Sequence, residues 1–155
     1  CTGFQTNKFI LPTRVLGRDG VSLADVWGEA PRAHRAVAVP EFPNLWFLEG
    51  PTAPVGNISL FEISETQGKH IIQCLDHMKA NGLSAISADP KACADYNATM
   101  VNAASKTVWA SGGCNSWYID ASGIPNLYAH SAKAFHRDMR KPDFSEYQLE
   151  PAHST

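Results

Sequence analysis

Three groups of residues in this 155-residue chain have the types and spacing to do chemistry. The first is Gly50-Pro51-Thr52-Ala53-Pro54-Val55-Gly56, set between an apolar run and a helical pattern that starts at Asn57. A helix N-terminus leaves backbone N–H groups unpaired and carries about half a positive charge, so it attracts an anion or carbonyl. Glycines before it let a ligand approach the backbone closely. The same spacing fits an ordinary strand-loop-helix connection, and neither GxGxxG nor GxxxxGK[ST] occurs in the chain. The second group is Trp109-Ala110-Ser111-Gly112-Gly113-Cys114-Asn115-Ser116-Trp117-Tyr118. Its aromatic faces suit a wall against a flat ring, or equally a loop anchored in the core. The third is Cys114 with His130 or His136, the parts of a thiol nucleophile and its base. It lacks the local signatures that flank catalytic thiols. His70 and His77 share a helical face, but without HExxH or a further ligand set they read as surface histidines and no metal site is expected.

The elements that position these residues follow from periodicity and punctuation. Asp19-Gly20 between β-formers predicts a short hairpin with strands near 13–17 and 21–24. Pro31, Pro40 and Pro43 exclude a long helix over 28–43. Asn44-Leu45-Trp46-Phe47-Leu48-Glu49, apolar on both faces, reads as a buried, parallel strand. Ile58, Phe61, Ile72, Leu75 and Met78 keep helical spacing to the stop at Asn81-Gly82, a helix about 37 Å long. Gly68 in its middle costs about 1 kcal/mol against alanine and marks a close approach. Asp89-Pro90 opens a second long helix to about Lys106. Beyond it come an extended piece at 107–109, a loop over 110–125, Leu127-Tyr128 extended, a helix over Ser131–Arg140 and a loose end after Pro142. The chain is one unit with a strand-rich part (1–56), a helical part (57–110) and an aromatic loop and tail (111–155).

Thirteen basic and 15 acidic residues give a net charge of −2, which provides no attraction for phosphate backbones or anionic lipid. No apolar stretch is long enough to span a bilayer. The four cysteines, Cys1, Cys74, Cys93 and Cys114, form no CxxC and fit reduced thiols of a cytoplasmic protein. The sequons at Asn57 and Asn97 read as chance triplets. The charged fraction, 18%, is low against the roughly 25% usual for soluble domains. With no start methionine, the chain reads as a piece of something longer.

Taken in order, these segments resemble the C-terminal part of the class B flavoprotein monooxygenases, the Baeyer–Villiger monooxygenases, and in particular their hydroxyacetophenone-type branch. Thr2-Gly3-Phe4 is similar to the end of the family's Ala-Thr-Gly-aromatic strand, and Phe42-Pro43-Asn44-Leu45-Trp46 to its Phe-Pro-Asn-Leu-aromatic entry. Gly50 to Ser59 is similar to Gly-Pro-Asn-Thr-x-x-Gly-His-x-Ser, and Glu65-Thr66-Gln67 to the Glu-Ala-Gln that follows it. Gly113-Cys114-Asn115-Ser116-Trp117-Tyr118, with Trp109 before it, matches Trp-x-x-x-Gly-Cys-x-Ser-Trp-Tyr and is the most specific motif. Thr52 stands where asparagine is usual, Asn57 where histidine is usual, and Tyr128-Ala129 where Trp-Pro is common.

The resemblance implies an α/β fold, the C-terminal part of a Rossmann-like FAD-binding domain. It implies FAD and NADPH as cofactors, with both main binding domains upstream of this chain as its missing partners. The reaction implied is oxygen insertion into a ketone, or oxidation of a sulfide or other soft heteroatom, through a flavin C4a-peroxide, with this chain inactive alone. Gly3, Gly50, Pro51, Gly56, Asn57 and Ile58 would contact the cofactor, and Trp117 and Tyr118 would face NADP or substrate. The resemblance places no catalytic side chain in this segment. Lys133, Arg137, Arg140 and Lys141 fit either the 2′-phosphate of NADP or a solvated helix face. The shortage of charge then predicts an exposed apolar face that meets the absent domains or a second copy of the chain. A reading of another class is a non-enzymatic binding module that uses the aromatic loop 109–118.

Overall fold

The computed structural model describes residues 7–10, 12–54, 56, 58–113 and 118–152. Asp19 (φ 52°) and Gly20 (φ 78°) make the turn their types announce, and Gly17 N–H donates to Val21 O at 2.8 Å. The hairpin stops there: Leu16 and Ser22 form a single bridge. Ser22 begins a short helix, α1 (Leu23–Trp27), which buries Leu23 and Trp27 where a second strand was expected.

Asn44–Glu49 is not a strand either. Trp46 alone bridges, to Ala38, which in turn bridges His34. Asn44 (φ 59°) and Glu49 (φ 55°) are both left-handed, which ends the pleat on each side of the apolar run. Leu48 is 54% exposed, Trp46 packs beside Tyr147, with ring centroids 6.4 Å apart, and Phe47 is buried in a separate, smaller core. Leu23, Trp27, Val39, Phe42 and Phe47 form that core, with the Trp27 ring 5.3 Å from Phe47.

The long helix, α2, runs Leu60–Ala80 from Ser59 and stops at Asn81, followed by Gly82 at φ 61°. It begins three residues later than the spacing predicted. Ile63, Gln67, His70 and Cys74, at i, i+4, i+7 and i+11, are its buried face. Next comes β1 (Leu83–Ala88), which pairs antiparallel with β2 (Tyr147–Pro151), Ile86 opposite Leu149. The expected loose end after Pro142 is thus a strand. Its partner lies so far away in sequence that no local pattern announces the pair.

Between the strands lie α3 (Pro90–Ala104), α4 (Val108–Ser111) and α5 (Ala132–Met139). Asp89 caps α3 by accepting from Ala92 N–H at 2.9 Å, with Pro90 in the first turn as its type requires. The piece expected to be extended at 107–109 is helical from Val108, because Thr107 takes an N-cap conformation and the chain re-enters a helix. Ser131 caps α5. Ile63, Cys74, Ile86, Met100, Phe135, Met139 and Tyr147 join α2, β1, α3, α5 and β2 in the main core of this mixed α/β fold. Among the described residues the only sheet is antiparallel, and no helix is long and apolar enough to cross a membrane.

This core holds a polar network that fastens the C-terminal strand. Arg35 donates from Nε (2.9 Å) and Nη2 (2.6 Å) to Glu146 Oε2 and from Nη1 to Asp138 O (2.9 Å). His34 Nε2 lies 3.1 Å from the same carboxylate. His70, expected at the surface, is fully buried between Met139 O (3.0 Å) and Tyr147 Oη (3.0 Å). His34 Nδ1 is buried without a hydrogen-bond partner among the described residues. Burial first, and the neighbouring Arg35 guanidinium second, lower the His34 pKa from 6.5 to about 4. The folded state therefore binds fewer protons than the unfolded state between these values. Its stabilisation is complete above pH 6.5 and is lost as pH falls through 4. Urea titrations should show stability about 2 kcal/mol lower near pH 5 than at pH 7.5. In His34→Gln that slope should flatten; an unchanged slope assigns the effect elsewhere.

Candidate functional site

The loop 50–56 and the start of α2 are held by the chain's own packing. Glu49 N–H donates to Gln67 Oε1 (2.8 Å) and Ser64 Oγ donates to Glu49 Oε1 (3.0 Å), which ties the loop entry to the side of α2. Burial pushes the Glu49 carboxyl up, against the Ser64 bond that lowers it. Gly50, Pro51, Thr52, Ala53 and Pro54 are all buried, and Gly56 is exposed.

The two glycines have different physical reasons. A Cβ on Gly50 would stand 2.4 Å from Ala36 O and 2.9 Å from Phe47 Cβ, so Gly50 is required by close packing inside this chain. Gly56 is left-handed (φ 86°) and a Cβ there would meet nothing within 4 Å. Open space beside a glycine next to a helix start is where a flat group can approach the backbone. Ile58 is half-buried and packs on the main core, so its side chain anchors the start of α2 rather than facing outward.

Helix α2 differs from α3 and α5 at its N-terminus. Asp89 and Ser131 cap their helices with side-chain oxygens, whereas Ser59 makes no capping bond. Among the described residues no acceptor meets the first-turn N–H groups of this helix, which leaves them for one outside its own cap.

Asn126 joins this loop to the aromatic segment. Its Oδ1 accepts from Thr52 N–H (3.0 Å), its N–H donates to Tyr118 O (2.9 Å), and its Nδ2 donates to Asn7 Oδ1 (3.1 Å) and Pro31 O (3.3 Å). Tyr128 N–H adds a bond to Ala53 O (3.1 Å). Two segments singled out by sequence, 50–58 and 109–118, thus share one anchor that sequence reasoning missed. An asparagine after a proline in a glycine-rich loop is the only signal it offers. The Tyr118 ring sits edge-on to Trp109 at 5.3 Å. Gly3, Asn57, Cys114 and Trp117 lie outside the described residues.

Thr52, where the resembling family has asparagine, adopts φ 69° while 4% exposed. A β-branched residue in this region is strained by roughly 1–2 kcal/mol, and asparagine tolerates it better. Thr52→Asn should therefore raise stability by about 1 kcal/mol, or about 3 °C in melting temperature. A lower melting temperature would show that contacts of the threonine outweigh the strain.

The other candidates do not assemble. His77 stacks on Phe144 at 3.6 Å, and among the described residues no group of three His, Cys, Asp or Glu could hold a metal. Cys74 and Cys93 are free and buried, and burial pushes their thiols up to about 12 and about 11. Neither is a nucleophile at neutral pH. Lys133, Arg137, Arg140 and Lys141 are all exposed.

No family model matches the chain. An uncharacterized monooxygenase of Mycobacterium tuberculosis is 38% identical over 138 residues, 89% of this chain and 28% of that protein. A Baeyer–Villiger monooxygenase of Streptomyces coelicolor is 34% identical over 154 residues, 97% of this chain and 30% of that protein. Among solved structures, oxidized steroid monooxygenase bound to NADP superposes with a TM-score of 0.80 at 21% identity, over 90% of this chain and 27% of that one. Cyclohexanone monooxygenase from Rhodococcus bound to NADP+ superposes with a TM-score of 0.75 at 22% identity, again over 90% and 27%. The chain thus spans under a third of the curated relatives it matches.

Proposed function

We propose that this chain, a segment of a Baeyer–Villiger-type flavoprotein monooxygenase, supplies the intact enzyme with the helix terminus that meets the pyrimidine edge of FAD. The single observation that carries this reading is the α2 N-terminus, whose Ser59 makes no capping bond, beside open space at Gly56. The residues present fit the group: a left-handed glycine with nothing beside it and a long uncapped helix match an electron-rich heterocycle.

In this reading Gly56, Asn57 and the N–H groups of the first turn of α2 would hold the flavin edge. FAD, reduced by NADPH, supplies the oxygen-activating chemistry that converts a ketone to an ester or oxidises a sulfide. The task of this chain is electrostatic: reduced flavin gains negative charge at its pyrimidine edge, and preorganised N–H donors stabilise that charge without reorganising. Gly50, packed against Ala36 and Phe47, and the buried Pro51 act at one remove, by fixing the loop. Asn126 holds the same loop against the segment carrying Tyr118, so Trp117 and Tyr118 would close the NADP and substrate side. Gly3 completes the expected cofactor contacts. We assign the hydroxyacetophenone-type branch on the Gly113–Tyr118 motif, and the cytoplasm on the free, buried Cys74 and Cys93.

The full-length protein should purify yellow and oxidise NADPH faster when a ketone or an alkyl aryl sulfide is present, with the ester or sulfoxide as product. A colourless, folded full-length protein that stays colourless when FAD is added would overturn the assignment.

A further inference from the structure

Ser59-Leu60-Phe61-Glu62, at the start of α2, has the Ser-x-x-Glu spacing of a capping box. In that motif the serine oxygen accepts from the backbone N–H of the third helical residue, and the glutamate reaches back to the backbone N–H of the serine. Ser59 has the extended conformation the motif needs (φ −61°, ψ 133°), yet its side chain makes no capping bond. Glu62 turns to α5 instead, where its Oε1 lies 2.9 Å from His136 Nε2. The other ring nitrogen, Nδ1, lies 3.3 Å from Thr66 Oγ1, one turn further along α2. A hydroxyl that donates to Nδ1 fixes the tautomer with its proton on Nε2, so a neutral His136 donates to the Glu62 carboxylate.

Glu62 is 54% exposed and His136 37%, so the pair adds little to stability. Its consequence is where the carboxylate goes. The unpaired N–H groups of a helix terminus attract a glutamate in the first turn, and a competing donor is needed to hold it away. Other carboxylates beside this turn are already tied, Glu65 by Lys69 at 2.8 Å and Glu49 by Ser64 at 3.0 Å. We propose that His136 is a positioning residue for the flavin site: it holds Glu62 on α5, keeps the capping box open and leaves the α2 terminus free for reduced flavin. The role rests on the reading of this terminus as a flavin contact. Ser59→Asp tests that reading without touching His136, so a flavin potential that responds to Ser59→Asp but not to changes at His136 refutes the positioning role alone.

The experiment measures the midpoint potential of bound FAD in the full-length protein at about pH 8.5, above the range in which an imidazole changes charge, so that loss of a cation contributes nothing. His136→Ala should release Glu62 to the terminus and weaken binding of reduced relative to oxidised flavin about threefold. At about 30 mV per tenfold that is a fall of about 14 mV. Adding Glu62→Ala should restore the potential to the wild-type value or above, because no carboxylate is left to fall back. His136→Gln, whose amide still donates to Glu62, should recover at least half of the loss. An unchanged potential in His136→Ala overturns the proposal. So does a fall that persists in the double variant, which assigns the effect to the packing of α5. Should His136→Ala not retain FAD, His136→Leu keeps the volume without the donor and carries the same expectations.

Discussion

Gly50→Ala should lower the stability of the protein by about 3 kcal/mol and abolish retention of FAD in the full-length enzyme. The added Cβ would stand 2.4 Å from Ala36 O and 2.9 Å from Phe47 Cβ, and neither neighbour can give way cheaply. Ala36 is left-handed (φ 61°) and 1% exposed, in the stretch that holds Arg35 to Glu146. Phe47 belongs to the second core and packs against Trp27. Relief of the clash must therefore move the loop that carries Pro51 to Gly56, so stability and cofactor retention should fall together. Native proteins hold roughly 5–15 kcal/mol in total, so a loss of this size is visible in any urea titration. Gly56→Ala provides the contrast. It adds strain of about 1 kcal/mol from φ 86° but meets no atom. It should leave folding nearly intact and weaken FAD binding more than stability. Gly50→Ala as mild as Gly56→Ala would show that the loop is not packed as described.

Arg35→Met should cost about 3 kcal/mol, because it removes one partner of a largely buried pair and leaves the other unpaired. Arg35 is 16% exposed and Glu146 29%, so the carboxylate recovers part of its hydration and keeps the loss at the lower end of the buried range. The guanidinium ties its own loop to two elements at once. Nε and Nη2 meet Glu146 just before β2, and Nη1 meets Asp138 O near the end of α5. Lysine keeps the charge but not the fork, and Arg35→Lys should recover less than half of the loss. Since among the described residues β2 pairs only with β1, loosening Glu146 frees the C-terminal strand, and amide exchange in Gln148–Glu150 should accelerate before that in α3. An Arg35→Lys protein as stable as the wild type would place the strand's anchorage elsewhere.

Local chemistry was legible wherever one residue type decides one conformation. Asp89 with Pro90, Ser131, Asn81-Gly82 and Asp19-Gly20 each stand where their types require, because caps and left-handed turns need no distant partner. The stretch from Arg35 to Thr52 was not legible. Arg35, Ala36, Glu41, Asn44, Glu49 and Thr52 all adopt positive φ, and apart from Asn44 none is a type that announces it. Tertiary packing imposes these conformations, and they turn the expected buried strand at 44–49 into a chain of single bridges. The β1–β2 pair was hidden for another reason: Ile86 and Leu149 are partners across α3, α4 and α5. At the candidate site, the loop and its helix could be read from glycine and proline spacing together with the motif. That spacing could not separate Gly50, which packs on its own chain, from Gly56, which opens outward. Asn126 was missed because an asparagine in a polar loop has no signature until its partners are in place. The low charged fraction has a visible cause in Phe61, Ile72, Leu75 and Val108, which lie outward on this chain.

The uncapped N-terminus of α2 should stabilise reduced flavin, and Ser59→Asp in the full-length enzyme tests this most directly. Ser59 is exposed and already has the extended conformation of an N-cap, so aspartate there should cap the helix and raise melting temperature slightly. It also occupies the free N–H groups and adds a negative charge at the terminus. Reduced flavin should then lose on the order of 1 kcal/mol of stabilisation, lowering the two-electron midpoint potential of bound FAD by about 20 mV. A more stable enzyme with a lower flavin potential is the predicted result. A more stable enzyme with an unchanged potential would contradict the account, because it would show that this helix end does not face the flavin.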